Sequence, residues 1–291
     1  MLVNDRLVAL RLRKCATAYL VTTLQAVVGG ELRKSLELGR DSPTSHGRID
    51  FPLDGRRVVA TVRNPWSWYT SLWAYGCGGQ GGLYARATQT RSARSTVGAM
   101  VRETRETHAL PRRSIAQHFS LPARSAGWTE LYADPQDVDA FREWLRRVLD
   151  PKWARLVEPW YGATGMPQVA GLLTWRYLAL FSRDTAPLLA PRGFDSMERL
   201  RVFDEEQNVC TDIIRADRIA AELPGVLTRA GYELDDRRRA VLTEHTTASA
   251  RRNTSNHRPW REYYDADAAE LVRVRERLVV ERFDFDPPEC R

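Results

Sequence analysis

"VVATVRNPWSWYTS", residues Val58–Ser71, decides how the chain is read. Val58 to Val62 is a β-branched run with little polar interruption, the composition of a strand covered on both faces in a parallel sheet. Arg63 ends that run with a permanent cation. Asn64 is a favoured N-cap and Pro65 a favoured first helical residue, so the strand should pass directly into a helix. The aromatics that follow (Trp66, Trp68, Tyr69, Trp73 and Tyr75) read as packing, with the lining of a binding pocket as the alternative, and Ser71 sits among them.

A second unit of the same kind precedes this one. "RLVALRLRK" (Arg6–Lys14) has a strand's length and "AYLVTTLQAVVGG" (Ala18–Gly30) has helical length with a glycine stop. Two strand–helix units predict an α/β fold, a central parallel β-sheet flanked by helices, with its binding edge at the loops after the strands. Further on, "DVDAFREWLRRVLD" (Asp137–Asp150) and "AGLLTWRYLALF" (Ala170–Phe181) read as an amphipathic and a buried helix. "VCTDIIRADRIAAELPGVLTRAGYEL" (Val209–Leu234) reads as a strand ending near Arg215, then a helix stopped at Gly231. "YYDADAAELVRVRERLVVERFDFDPP" (Tyr263–Pro288) predicts one helix of about four turns before an aromatic, acidic tail. With no internal repeat and no low-complexity linker, residues 1–291 are read as one domain.

Composition narrows the function classes. At 43% hydrophobic over 291 residues the chain can bury a substantial core, which argues against disorder. Cys15, Cys77, Cys210 and Cys290 are scattered, without a C-x-x-C pair or a His/Cys cluster at metal spacing. A disulfide framework and a structural zinc site are therefore not expected, and the thiols read as reduced. No run approaches the roughly 20 apolar residues of a membrane span, and Asp5, Arg6, Arg11 and Arg13 stand where a signal peptide would need an apolar core, so a cytoplasmic protein is expected. The net charge of +7 is carried almost wholly by arginine, whose planar fork suits phosphate. No basic run interleaves with aromatics, and no zinc-finger or RNA-recognition signature is present, so a noncatalytic nucleic-acid-binding protein is kept only as a rival.

"KCATAY" (Lys14–Tyr19) falls between a strand and a helix N-terminus, where unpaired amides and the positive end of the helix dipole favour an anion. Lys14 would add a mobile charge and Thr17 a hydroxyl to the amides of Ala16 to Ala18. The spacing of a Walker loop is missing, which speaks against the second rival, a nucleotide-dependent kinase of related fold. Arg63, through two parallel hydrogen bonds, and Ser71, through one, are expected to converge on a second phosphate. Two such grips suit a nucleotide phosphorylated at both ends of its ribose.

At this point a resemblance is specific. "RNPWSWYTS" (Arg63–Ser71) resembles the signature with which the PAPS-dependent sulfotransferases, including bacterial and carbohydrate types, bind the 3′-phosphate of 3′-phosphoadenosine 5′-phosphosulfate. "KCATAY" resembles their 5′-phosphosulfate loop of Lys, Ser or Thr, Gly, Thr, Thr, Trp. "IIRADRIAAELPGVLTRAGYE" (Ile213–Glu233) is similar to their late strand and helix, and "ARRNTSNHRPWREYYDADAAELV" (Ala250–Val272) resembles their C-terminal segment, whose basic residues cover the 3′-phosphate.

The resemblance implies a sulfotransferase fold related to the P-loop NTPases. It implies that Lys14, Cys15, Ala16, Thr17, Ala18, Tyr19, Arg63, Ser71, Arg251 and Arg252 hold the donor, and that Lys14 also acts on the leaving phosphate. Residues 76–126 would cover the acceptor, and residues 248–291 would cover the donor and supply the last helix. The implied reaction moves a sulfuryl group to a hydroxyl, less readily an amine, of a carbohydrate or small metabolite, without a metal. Ala16 and Ala18 depart from the pattern, which has glycine and a hydroxyl residue there, and Ala216–Asp217 replaces an aromatic–acidic pair.

For the base, His46 in "SHGRIDFP" (Ser45–Pro52) stands where some carbohydrate sulfotransferases have an H-G-H segment, Arg48 replacing the second histidine. An imidazole with a pKa of about 6.5 accepts a proton near neutrality. Asp50, His108 and His118 are the alternatives, while His257 is read as a donor-side or structural group.

Overall fold

The computed structural model describes residues 2–29, 33–34, 53, 55–88, 127–190, 193–252 and 257–290, the stretches 33–34 and 246–252 by their backbone alone. Its strands form one mixed sheet in the order β3-β1-β2-β4-β5, from β1 (Leu2–Val3), β2 (Leu7–Ala9), β3 (Arg33–Lys34), β4 (Arg57–Val62) and β5 (Asp212–Arg215). The expected parallel sheet is present as β2, β4 and β5, whereas β1 pairs antiparallel with both β2 and β3. A two-residue strand has no periodicity to read, so these edge strands leave no mark in the sequence.

β4 shows why the sheet has two covered faces. Val58, Ala60 and Val62 point into one core with Trp66, Trp68, Tyr69 and Trp73, and Val59 points into the other with Leu20, Leu24, Ile214 and Leu223. This is the strand period of two with apolar residues on both sides. The Val59 face is covered by α1 (Thr17–Val28), by α7 (Ile219–Arg229) after the sheet, and by α8 (Asp236–Arg252). The other face carries α2 (Pro65–Cys77), α3 (Gly82–Thr88), α4 (Val138–Leu149), α5 (Leu172–Phe181) and α9 (Ala266–Arg275). α6 (Met197–Gln207) and α10 (Arg277–Arg282) pack at the same side.

α2 starts as its sequence dictates: the Asn64 side chain accepts from Ser67 N at 3.2 Å and Pro65 opens the first turn. Trp66, Trp68, Tyr69 and Trp73 are fully buried, and the three indole N–H groups donate to the carbonyls of Ala269, Arg13 and Leu131, each at 2.9 Å. Buried indoles need such partners, and here they fix α2 to three other segments.

The single C-terminal helix expected over four turns is instead two, α9 and α10, parted at Glu276. The Arg275 carbonyl accepts from Gly171 N at 2.6 Å, and the Glu276 side chain is wholly buried against the start of α5. The Arg275 carbonyl is thus drawn to a tertiary partner, although Glu276 N still donates to Val272 O at 2.8 Å and Glu276 O accepts from Val280 N at 2.9 Å. Among the described residues no helix is long and apolar enough to cross a membrane.

Candidate functional site

β2 and β4 are parallel, Val8 opposite Val58 and Ala9 opposite Val59, so their carboxyl ends open on the same sheet edge. From that edge residues 10–16 lead to α1, and Arg63 leads to α2. Four consecutive carbonyls of the first loop are each taken by a side chain. Leu12 O accepts from Thr17 Oγ1 at 2.6 Å, Arg13 O from Trp68 Nε1 at 2.9 Å, Lys14 O from Arg63 Nη1 at 3.3 Å, and Cys15 O from Thr61 Oγ1.

In a trans peptide the N–H points opposite the C=O, so pinning these carbonyls inward turns the opposing amides of Arg13, Lys14 and Ala16 away from the protein body. Lys14 (φ 68°) and Ala16 (φ 53°) both adopt the left-handed conformation, with Cys15 between them. The Cys15 amide between them turns back to donate to Leu12 O at 3.3 Å, so the Lys14 and Ala16 amides are the ones left to face an anion, in the alternating winding from which concave anion-binding nests are built. Each left-handed L-residue costs about 1–2 kcal/mol, which the four side-chain anchors hold in place. α1 follows at once, and Ala16 supplies no side-chain cap to its first turn.

The residues expected at this loop divide by role. Cys15 is wholly buried, burial pushes its thiol up to about 12, and it offers the site backbone only. Thr17 spends its hydroxyl proton on Leu12 O, so the hydroxyl expected to face an anion braces the loop instead. Ala16 is partly exposed and Ala18 exposed, whereas the Tyr19 ring is buried in the Val59-side core. The Lys14 ammonium lies 3.2 Å from the centroid of the Tyr75 ring. Burial, and then the charge of Arg63, lower its pKa to about 8.

Arg63 donates from Nε to Ser67 Oγ at 2.8 Å as well as to Lys14 O. Burial pulls its pKa down, and among the described residues no carboxylate pairs with it. The direct hydroxyl partner of Arg63 is thus Ser67, one turn of α2 before Ser71, which the sequence pairs with Arg63 on a phosphate. Ser67, Ser71 and Tyr75 lie at i, i+4 and i+8 on one face of α2, about 12 Å from end to end. Arg63 occupies the Ser67 end and Lys14 the Tyr75 end. The partly exposed Ser71 faces the space between them, and its hydroxyl makes no hydrogen bond among the described residues.

Arg251 and Arg252 stand at the end of α8. That helix runs antiparallel to α1: Arg238 Nε donates to Val27 O at 3.3 Å, and His245 Nδ1 lies 3.3 Å from Thr23 Oγ1. From Thr23 to Thr17 and from His245 to Arg252 are each about 10 Å of helix, so the end of α8 lies toward the N-terminus of α1. His46, Asp50, His108 and His118 lie outside the described residues. His257 Nδ1 donates to Arg258 O at 2.6 Å, a local contact.

Sequence reading left out Ser67 and Arg176, and gave Tyr75 only as packing or as a pocket lining. Ser67 and Tyr75 carried a readable signal, their fourfold spacing with Ser71. Arg176 carried none: its guanidinium lies 5.5 Å from the Trp68 ring centroid and 3.3 Å from Glu158, and its charge acts on Cys15, a position set by how α5 packs. Elsewhere, a cavity of about 510 Å³ opens between α4 and α9, lined by Arg142, Arg146, Asp150, Asp265 and Arg275 among others. It includes no residue of the two loops, and Arg142 and Arg146 are already paired with Asp265 and Glu143. Among the described residues no group of His, Cys, Asp and Glu is arranged to hold a metal.

Comparison of the chain with protein-family models, with characterised proteins and with solved structures finds no match in any of the three.

Proposed function

We propose that the chain is a sulfotransferase that moves the sulfuryl group of 3′-phosphoadenosine 5′-phosphosulfate to a hydroxyl, less readily an amine, of a carbohydrate or small metabolite. The observation that carries this reading is the nest at residues 12–16, with two cations beside it that have no carboxylate partner among the described residues. Outward amides, a lysine and an uncapped helix start suit the 5′-phosphosulfate. Arg63, with Ser71 on the neighbouring face, suits the 3′-phosphate, and the end of α8 brings Arg251 and Arg252 toward the same edge. Four free cysteines fit a cytoplasmic setting.

In this reaction the acceptor oxygen attacks sulfur as the bond from sulfur to the bridging phosphate oxygen breaks. The electron pair goes to the 5′-phosphate, and the acceptor proton goes to a base. Lys14 and the nest amides stabilise the negative charge gathering on the departing phosphate, an interaction that strengthens in the transition state. His46 is the proposed base, with Asp50, His108 and His118 next in order. His46→Ala is expected to lower turnover by about 100-fold or more while donor binding stays intact.

The nest would accept phosphate of any origin, so the deciding experiment sets donors against one another. Titration calorimetry with 3′,5′-bisphosphoadenosine should show binding that ATP does not displace. Equal or tighter binding of ATP would favour a kinase. Binding of DNA or RNA with a steep salt dependence, and without competition from the bisphosphate, would favour a nucleic-acid-binding protein.

A further inference from the structure

Tyr75 is 39% exposed, and such a ring ordinarily swings freely, yet this one is held. The glycine-rich segment "GCGGQGG" (Gly76–Gly82) folds back over it: Gln80 N donates to Tyr75 O at 3.2 Å, and Gly81 at φ 95° comes so near that a Cβ there would lie 3.1 Å from Tyr75 Cδ1. The ring presents its face to the Lys14 ammonium, 3.2 Å from the centroid. Burial and the Arg63 guanidinium both oppose the lysine charge, and the Cys15 thiol beside it is neutral. The negative face of the Tyr75 ring is therefore the favourable partner that the ammonium has among the described residues.

We propose that Tyr75 is the positioning residue for Lys14, its ring face seating the ammonium of this nest residue, from which an entering anion takes it. This rests on the nest being an anion site and adds a residue that acts through Lys14. The seat keeps a flexible side chain within reach of the site, and exchanging a ring face for phosphate oxygens gives the ammonium a stronger partner at the moment of binding.

The chain has three lysines, Lys14, Lys34 and Lys152, so lysine labelled with ¹³C at Cε gives a simple spectrum in which Lys14→Arg identifies the signal. The Lys14 ε-methylene is expected to be shifted upfield by the ring. The shift should persist in Tyr75→Phe and vanish in Tyr75→Leu, and the titration midpoint near 8 should fall in Tyr75→Leu by about half a unit. Inorganic pyrophosphate should abolish the upfield shift and raise the midpoint. A native Lys14 signal without the upfield shift, or one unchanged in Tyr75→Leu, overturns the seat. A normal seat whose signal pyrophosphate leaves in place overturns the release. Weak binding of 3′,5′-bisphosphoadenosine with both readouts as expected counts against the proposed donor and supports the seat.

Discussion

Two helices of this protein begin beside a wall of packed side chains, and their N-termini are finished in opposite ways. At α5 the first-turn amides of Leu173 and Thr174 meet the carboxylate of Glu276 at 3.1 and 2.7 Å, with Thr174 Oγ1 at 2.6 Å and the Tyr69 hydroxyl as further donors. At α1 the cap is Ala16, no side chain among the described residues closes the first turn, and the cations Lys14 and Arg63 stand in the loop before it and at the end of the neighbouring strand. A helix start is positive in both places. One has been given an anion from within the chain, and the other has been furnished to receive one. Glu276 shows what a satisfied start looks like here, down to Gly171, where any Cβ would collide with the carboxylate. Burial pushes the Glu276 carboxyl up while its four donors pull it back.

The sharpest way to break the contrast is to remove the internal anion. Glu276→Ala leaves buried donors of α5, Thr174 and Tyr69 unpaired, and should cost about 3–5 kcal/mol in urea unfolding. A variant within about 1 kcal/mol of the native protein would show that the carboxylate is dispensable there.

The cation side is tested by comparing two arginines at the ends of neighbouring parallel strands. Arg63 follows the last residue of β4 and Arg215, in register with Val62, ends β5, but Arg215 is paired with Asp217 at 2.9 Å and donates to the carbonyls of Phe283 and Asp284. Arg63→Ala should weaken 3′,5′-bisphosphoadenosine by about 10- to 150-fold, the worth of a charged hydrogen bond. Arg215→Ala should leave that affinity alone and lower the melting temperature. If calorimetry shows the two variants binding equally, position at the sheet edge counts for more than the free cation.

Lys14 sharpens the comparison through pH. With its pKa lowered to about 8, it binds fewer protons in the folded protein than in the unfolded chain between about pH 8 and 10.5. Its contribution to the stability of the free protein therefore rises with pH across that window. Anion affinity runs the other way, highest below pH 8 and weaker by up to about tenfold at pH 9 as the ammonium discharges. Calorimetry on Lys14→Met at the same pH values should lose this dependence.

The smallest effect concerns the strained start itself. Ala16→Gly removes the Cβ conflict at φ 53° and should stabilise the fold by about 1 kcal/mol in thermal unfolding, with anion binding retained. A destabilised variant would mean that the left-handed turn stores no strain.

Several features were legible in the residues because they are local. The strand–helix junction at Val62 to Pro65 follows from β-branching, an N-cap and a proline at the first helical position, and it forms as the sequence dictates. The stop of α1 at Gly29 and the helix after Arg215 are of the same kind. The split of the last helix at Glu276 was not legible, since it depends on Gly171 and Thr174 about a hundred residues earlier. Nor could spacing alone reveal that Arg63 leans on Ser67 or that Thr17 turns its hydroxyl inward, because side-chain hydrogen bonds are chosen among neighbours that only the fold assembles.

Which strands could be buried on both faces, where the chain turns from strand to helix, and that cations follow the strands at that edge can all be read from the residues alone, because propensity, capping and charge act over a few residues. It took the assembled fold to have four successive carbonyls of one loop claimed by Thr17, Trp68, Arg63 and Thr61, and so to turn the amides of Arg13, Lys14 and Ala16 outward while that of Cys15 folds back on Leu12 O. Three of those four donors come from β4 and α2, some fifty residues away, and they can reach the loop only once the parallel pairing of β2 and β4 has set the two junctions side by side.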